Sequence, residues 1–278
     1  MKKNCLICGG KIIRNNDFSF KCLDCNFYFS NLKPGFGQDV EGIEGLRKKN
    51  FKKILKIILK KNKRPRILEI GSGDGFFIEE CIKFKVFIVG SEACDDNLER
   101  LKKKISTKIK FIKLILPESI KTKVKDKFDF VIFNDVFEHI NNPDEVIVEL
   151  KKILKQNGSI IINLPSSNGI IFKTSEILMK YGFSGFYDRL WQKNMNSPHI
   201  SYFNISNLNK LFLKHDFVNI QSGYLDTIEY NNYHRIKNLY DNKPIIIVLS
   251  IVCFFLAIFQ KLLPKDIIFG FFKINCNK

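Results

Sequence analysis

Four cysteines in two close pairs, Cys5-x-x-Cys8 and Cys22-x-x-Cys25, stand thirteen residues apart in the first tenth of the chain. Each pair sets two thiolates on one side of a turn, and Gly9-Gly10 gives the first turn backbone freedom. Two such turns facing each other complete a tetrahedral, all-cysteine site for structural Zn2+, with no position left for a reacting water. Lys11–Phe20 is long enough for a small hairpin, so residues 1–30 read as a zinc ribbon, with a redox pair as the alternative. Cys81, Cys94, Cys253 and Cys276 lack ligand spacing and are expected to be small buried or incidental thiols.

A second constellation begins at Arg66–Ile70, a short buried strand that runs into Gly71-Ser72-Gly73-Asp74-Gly75 and then a helical stretch, Phe76–Lys83. Strand, glycine turn and helix let the backbone approach a ligand at the C-terminal edge of a parallel sheet. The next strand, Val86–Gly90, ends at Ser91-Glu92, nineteen residues after Gly73. A carboxylate there is placed to accept the ribose hydroxyls of a nucleoside. A dinucleotide fingerprint would require glycine at position 76, which is Phe76, so the turn departs from the NAD type.

Ile67–Gly75 resembles motif I of the class I S-adenosylmethionine-dependent methyltransferases. Phe128–Ile140 resembles the fourth strand and following Glu-His element of their bacterial small-molecule branch (methyltransferase type 11/12/23-like), and Gly158–Pro165 resembles the fifth strand. Trp191, Pro198–Phe203 and Leu208–Phe217 are similar to a later segment of that branch, in which a four-cysteine ribbon is a frequent companion. The resemblance implies an α/β, Rossmann-like, seven-stranded and mostly parallel sheet behind the ribbon, with S-adenosylmethionine as cofactor. It implies that Glu69, Gly71 and Gly73, with Ser72 and Gly75, shape the cofactor turn. It further implies that Glu92 holds the ribose and that Asn134 and Asp135 line the cofactor. Two departures stand out: Leu116-Pro117-Glu118 offers no clear contact to an adenine, and Pro34–Gly42 has none of the tyrosines that relatives carry there.

Methyl transfer from a sulfonium is an in-line displacement in which the protein aligns the acceptor and excludes water. An alcohol acceptor gains from a base, a role histidine suits near neutral pH. Of the four histidines, His139 follows strand four and His199 lies in the segment expected to cover the pocket, whereas His215 and His234 have no such placement. His139, His199 and Asp135 are therefore the catalytic candidates, against a capping role for His139 and a packing role for His199. Asn142-Pro143-Asp144-Glu145 predicts a helix start with a capping box, and Asn157-Gly158 its end. The aromatic-rich stretch Gly169–Ser197 predicts either an acceptor pocket wall or a lid packed on the sheet.

These elements divide the 278 residues into a ribbon (1–30), a glycine-rich flexible joint (31–45) and a methyltransferase domain (46–278) with a lid at 169–203. Helical spacing of Leu46, Phe51, Ile54, Leu55, Ile58 and Leu59 predicts the helix leading into that domain. Ile245–Phe259 holds one clearly polar residue, Ser250, yet is short for a bilayer span. Phe217–Tyr224 and Asp266–Ile274 read as the last two strands, and the final one must return to the sheet, which argues against a span between them. The apolar helix 244–263 is thus expected to cover the sheet or to make an in-plane membrane contact flanked by Lys243, Lys261 and Lys265.

The net charge of +18 comes with 39 Lys but only 7 Arg and is spread along the chain, which disfavours nucleic acid as a partner. No secretory signal follows Met1, so a reducing cytoplasm is expected, with the inner face of the membrane open through 244–263. The expected acceptor is small or lipid-linked, such as a sugar of surface-glycan assembly or a quinone-like phenol. The rivals are an RNA base methyltransferase and a non-catalytic binding protein that keeps the fold.

Overall fold

The computed structural model describes residues 4–35, 44–105, 109–229, 232–237, 242–260 and 262–275. Most of the joint predicted at 31–45, together with Lys261 and Cys276, lies outside the described residues, as does the side chain of His234.

The four-cysteine segment forms three short strands, β1 (Ile12–Arg14), β2 (Ser19–Cys22) and β3 (Tyr28–Ser30). After α1 (Glu44–Lys61) the chain alternates strand and helix. The order is β4 (Arg66–Ile70), α2 (Phe76–Lys83), β5 (Phe87–Glu92), α3 (Asp95–Lys104), β6 (Lys110–Lys113), α4 (Glu118–Lys123) and β7 (Phe128–Asn134). A 3-10 turn at Phe137–His139 then leads to α5 (Pro143–Ile153) and β8 (Leu154–Pro165). The rest is α6 (Ile170–Lys180), α7 (Gly185–Leu190), β9 (Ser201–Tyr202), α8 (Ile205–Leu213), β10 (Phe217–Leu225), α9 (Tyr233–Lys237), α10 (Lys243–Phe259) and β11 (Ile267–Ile274).

Seven strands form one sheet in the order β10-β11-β8-β7-β4-β5-β6, parallel from β8 to β6, with β11 antiparallel to both neighbours. The final strand thus returns between its neighbours as the topology predicts. Alternation along β7 explains the two cores: Val131 and Phe133 face Val146, Leu150 and Phe212, while Phe130 and Ile132 face Ile54, Ile58 and Phe77. Chain order reverses between β4 and β7, so the crevice beyond their C-terminal ends is the natural ligand position of an open α/β sheet.

Three expectations need correction. Helix α5 ends at Ile153, not at Asn157-Gly158, because Leu154 already pairs with Phe128 in the sheet. Asn142 stands at its N-cap position, but its side chain accepts no backbone N–H, so the capping box is not made. The helix predicted at 244–263 is present as α10, yet it does not cover the sheet. Val248, Ile251, Phe255 and Phe259 are each more than half exposed, and Ile246 and Ala257 are among the few buried side chains. No helix among the described residues is long and apolar enough to cross a membrane.

The ribbon and the 169–203 segment also meet in a way the sequence does not announce. Strand β9 completes the small sheet by pairing Tyr202 with Tyr28 and Ser201 with Phe29. Phe172, Tyr187 and Trp191 pack with Phe18 and Tyr28 of the ribbon into a separate aromatic cluster. Phe172, Tyr187 and Trp191 are therefore spent on holding the ribbon, Tyr181, Phe183 and Phe186 are exposed, and none of the six lines the cavity described next.

Candidate active site

A cavity of about 590 Å³ opens at the C-terminal ends of β4, β5 and β7. At its floor, Gly71 and Gly73 adopt φ of +67° and +53°, and a Cβ on Gly71 would stand 2.6 Å from Val136 Cγ2. Glycine at 71 thus permits both the left-handed turn and the close approach of β7's exit. Gly71→Ala should lower stability by about 1–3 kcal/mol, read by denaturant unfolding, since it pairs a strained φ with a clash.

Ser72 ties the turn to β5: its N–H donates to the Ser91 carbonyl (2.9 Å), and its Oγ accepts from the Ser91 N–H (3.1 Å). The Gly73 N–H donates to the Glu92 carboxylate, which lines the cavity. Gly75 is set apart. It lies outside the cavity lining, and a Cβ there would meet Leu101 at 2.7 Å, so its smallness serves the packing of α2 on α3.

Glu69 is 1% exposed; its Oε1 accepts from Asn134 Nδ2 (2.8 Å), and its Oε2 is buried with no partner. Burial pushes this carboxyl up to about 8, while Asn134 and Ser72 oppose that shift and Glu92 adds to it. Burial also raises Glu92, while the Gly73 amide pulls it back down.

Beside the glycine turn, on the neighbouring strand, β7 ends in Asn134-Asp135 and the 3-10 turn. Asp135 takes φ of +55°, and its carboxylate meets Arg47 of α1, Nε to Oδ2 at 3.5 Å. Burial raises the Asp135 carboxyl, and Arg47 opposes that shift. His139 Nδ1 donates to the Pro198 carbonyl (2.9 Å) and lies 3.2 Å from Ser197 Oγ. The rings of His139 and His199 meet edge to face, 4.8 Å between centroids. His199 is buried, with Gln192 Nε2 3.1 Å from its Nε2, and burial beside His139 holds it well below the ordinary histidine range. Glu138 lies between them and the core, 1% exposed and held far above the usual carboxylate range by burial and by Asp135.

The structure thus gathers Glu69, Gly71, Ser72, Gly73, Glu92, Asn134, Asp135, His139 and His199 around one cavity. Polar members that sequence reasoning missed include Arg47, Asn97, Glu138 and Gln192. Glu138 had a signal, its place beside His139 in the Glu-His element. Arg47 and Asn97 look like ordinary helix-face residues, and only packing brings them in. Leu114, Leu116 and Pro117 give the cavity a largely apolar wall after β6, with Glu118 as the polar residue at its end.

The family described as a methyltransferase domain matches residues 43–222, about two thirds of the chain. The chain belongs to the class I S-adenosylmethionine-dependent methyltransferases. Over 159 residues this methyltransferase-domain chain is 32% identical to the ubiquinone biosynthesis O-methyltransferase of Pelagibacter ubique, covering 55% of this chain and 63% of the relative. It is 26% identical over 133 residues to the malonyl-[acyl-carrier protein] O-methyltransferase of Halalkalibacterium halodurans, covering 44% and 49%. The matches span about half to just under two thirds of those relatives' length. In fold, the methyltransferase domain is similar to the plantazolicin methyltransferase BpumL in complex with SAH, at TM-score 0.53 and 17% identity, covering 84% and 85% of the two chains.

The ribbon cysteines Cys5, Cys8, Cys22 and Cys25 lie with their sulfurs within 4.8 Å of one another. Cys5–Cys25 and Cys8–Cys22 are 3.7 and 3.5 Å apart. Bonds of about 2.3 Å to a tetrahedral cation put thiolates roughly 3.8 Å apart, close to these two separations, so the donor set fits zinc.

Proposed function

We propose that the protein transfers a methyl group to an oxygen of a small or lipid-linked acceptor, in the manner its relatives' names describe for quinone and acyl-carrier substrates. The observation that carries this reading is that one cavity gathers the glycine turn and Glu92 together with Asp135, His139 and His199. S-adenosylmethionine, when bound, supplies a methyl carbon activated by a sulfonium. Gly71, Ser72 and Gly73 form the cradle for it, Glu92 accepts from the ribose hydroxyls, and Glu69 with Asn134 receives the methionine end. The orphaned Glu69 Oε2 supports that fit, because a buried carboxylate oxygen without a donor calls for one. The acceptor oxygen loses its proton to Asp135, His139 or His199, and these residues hold it in line with the methyl carbon.

An acceptor of surface-glycan or quinone type agrees with the oxygen specificity of the named relatives. Residues 1–30 act as a zinc ribbon, 31–45 as a joint and 46–278 as the catalytic domain. The exposed apolar α10 and its flanking Lys243 and Lys265 seat the protein on the inner membrane face, where a lipid-linked acceptor is found. Cosedimentation with phosphatidylglycerol vesicles should weaken by at least about tenfold in V248S/F255S, and binding should fall with salt.

Glu69 gives a pH test. The cofactor's cationic methionine end requires the ionised carboxylate, whereas the empty protein keeps it protonated below about 8. S-adenosylmethionine affinity should therefore rise by up to about tenfold per pH unit as pH approaches 8, and level off above it. Glu69→Gln should flatten that slope in calorimetric titration.

The reading is tested by incubating the protein with radiolabelled S-adenosylmethionine and a lysate of cells lacking its gene, with Glu92→Ala as control. Glu92-dependent label in the lipid, glycan or small-molecule fraction is expected. Label in RNA would replace this reading with a base methylase, and absence of both label and cofactor binding would leave a non-catalytic protein.

A further inference from the structure

The acceptor side of the cavity holds a feature that proton transfer alone leaves unexplained. Glu138 is 1% exposed, yet neither of its carboxylate oxygens has a hydrogen-bond partner. The nearest basic nitrogen, His199 Nε2, stands 3.9 Å from Glu138 Oε1, beyond hydrogen-bond reach, and Arg47 acts on the carboxyl only at longer range. His199 is itself buried, and its Nδ1 is also unpartnered. Burial keeps such an acid neutral until a cation joins it, so the unpartnered Glu138 carboxyl is a ready ligand for one.

Ligand atoms of Glu138, His139 and His199 lie within 4.8 Å of one another, and all three residues line the cavity. Two imidazoles and a carboxylate around an open position are the donor set of catalytic divalent metal sites, which keep a vacancy for water or substrate. Metal–nitrogen bonds of about 2.1 Å bring ligand atoms to roughly 3.4 Å separation, so a small rotation of the side chains closes the cluster. His139 is already set for the role: its Nδ1–H is committed to the Pro198 carbonyl, which leaves Nε2 as the lone-pair nitrogen. The frame is rigid as well, since the Ile200 N–H and Ser201 Oγ–H both donate to the Glu138 carbonyl. Gln192, now against His199 Nε2, can turn its amide to offer an oxygen to the same cation.

We infer that Glu138, His139 and His199 bind a divalent transition-metal cation at the acceptor end of the cavity, where it coordinates the acceptor's oxygen. This rests on the methyl-transfer reading and deepens it. The two histidines act together as ligands, and the cation draws electron density from the acceptor hydroxyl and lowers its pKa. The O–H bond then breaks with its proton passing to Asp135, the oxygen forms its bond to the methyl carbon, and the sulfur leaves with the electron pair as a neutral thioether.

The test uses full-length protein with its cysteine site loaded with zinc, dialysed against Co2+ with the bound cobalt counted by elemental analysis. Ligand-field absorption without thiolate charge transfer separates this site from the ribbon. One Co2+ per chain is expected, weakened at least 100-fold in Glu138→Gln and in His199→Gln, with His139→Gln as a third variant at the half-buried edge. S-adenosylhomocysteine affinity, titrated on the same samples, should stay within about threefold and reports that each variant is folded. A wild-type protein that binds S-adenosylhomocysteine but takes up no cobalt outside the cysteine site overturns the metal site and leaves the methyltransferase standing. Cobalt uptake that the three variants do not alter overturns it equally. Cobalt bound through these residues without any S-adenosylhomocysteine binding would keep the site and remove the methyl-transfer reading.

Discussion

Replacing Glu92 by alanine is expected to weaken S-adenosylmethionine binding by about 100-fold or more, measured by calorimetry. A charged hydrogen bond contributes about 1.5–3 kcal/mol, and the carboxylate is placed to accept from two ribose hydroxyls. Its present donor, the Gly73 N–H, would also lose its acceptor, so the turn proposed to cradle the cofactor loosens at the same time. Glu92→Gln keeps the shape and one acceptor oxygen and should cost roughly tenfold less affinity than the alanine variant. Equal affinity in wild type and Glu92→Ala would remove Glu92 from the cofactor site and, with it, the assignment of the ribose end.

The second large effect is expected at the ribbon. Cys22 and Cys25 are buried in the same core as Phe137, Phe203 and Phe212, so these cysteines are part of the domain's packing. Through β3 the ribbon also clamps the strand that follows His199: the Ser30 N–H donates to the Ile200 carbonyl (2.9 Å), and Ser30 Oγ donates to the His199 carbonyl (3.1 Å). Cys22→Ser should release one zinc per chain and lower stability by about 3 kcal/mol or more, which corresponds to roughly 6–12 °C in Tm. Methyl transfer should fall further than cofactor affinity, because the loss is felt at His199 and not at the glycine turn. A variant that loses its zinc while keeping Tm and activity would make the ribbon an independent appendage.

Most of the framework can be read locally. Arg66–Ile70, Phe76–Lys83 and the last two strands are recognisable because alternation, helical spacing and glycine turns are properties of short segments. The end of α5 could not be read that way. Asn157-Gly158 is a good helix stop by composition, but the pairing of Leu154 with Phe128 ends the helix first, and that partner is 26 residues away.

The cofactor half of the site follows the same division. Glu69, Gly71, Gly73 and Glu92 sit at strand ends and in one turn, so their chemistry is carried by spacing alone. The proposed acceptor half is built from four distant pieces that line the same cavity: Arg47 on α1, Glu138 and His139 after β7, Gln192 after α7, and His199 before β9. Their meeting depends on how the 169–203 segment docks, and that segment docks on the ribbon through Phe172, Tyr187 and Trp191. Aromatic composition announces burial without naming the partner, since hydrophobic contact is non-directional. Helix α10 shows the converse: its sequence calls for a cover, and the fold leaves most of its apolar side chains exposed. The chain's local order thus specifies the fold family and the cofactor turn, whereas the unpartnered Glu138 beside two histidines exists only once distant segments have packed, because desolvation is a property of the assembled core.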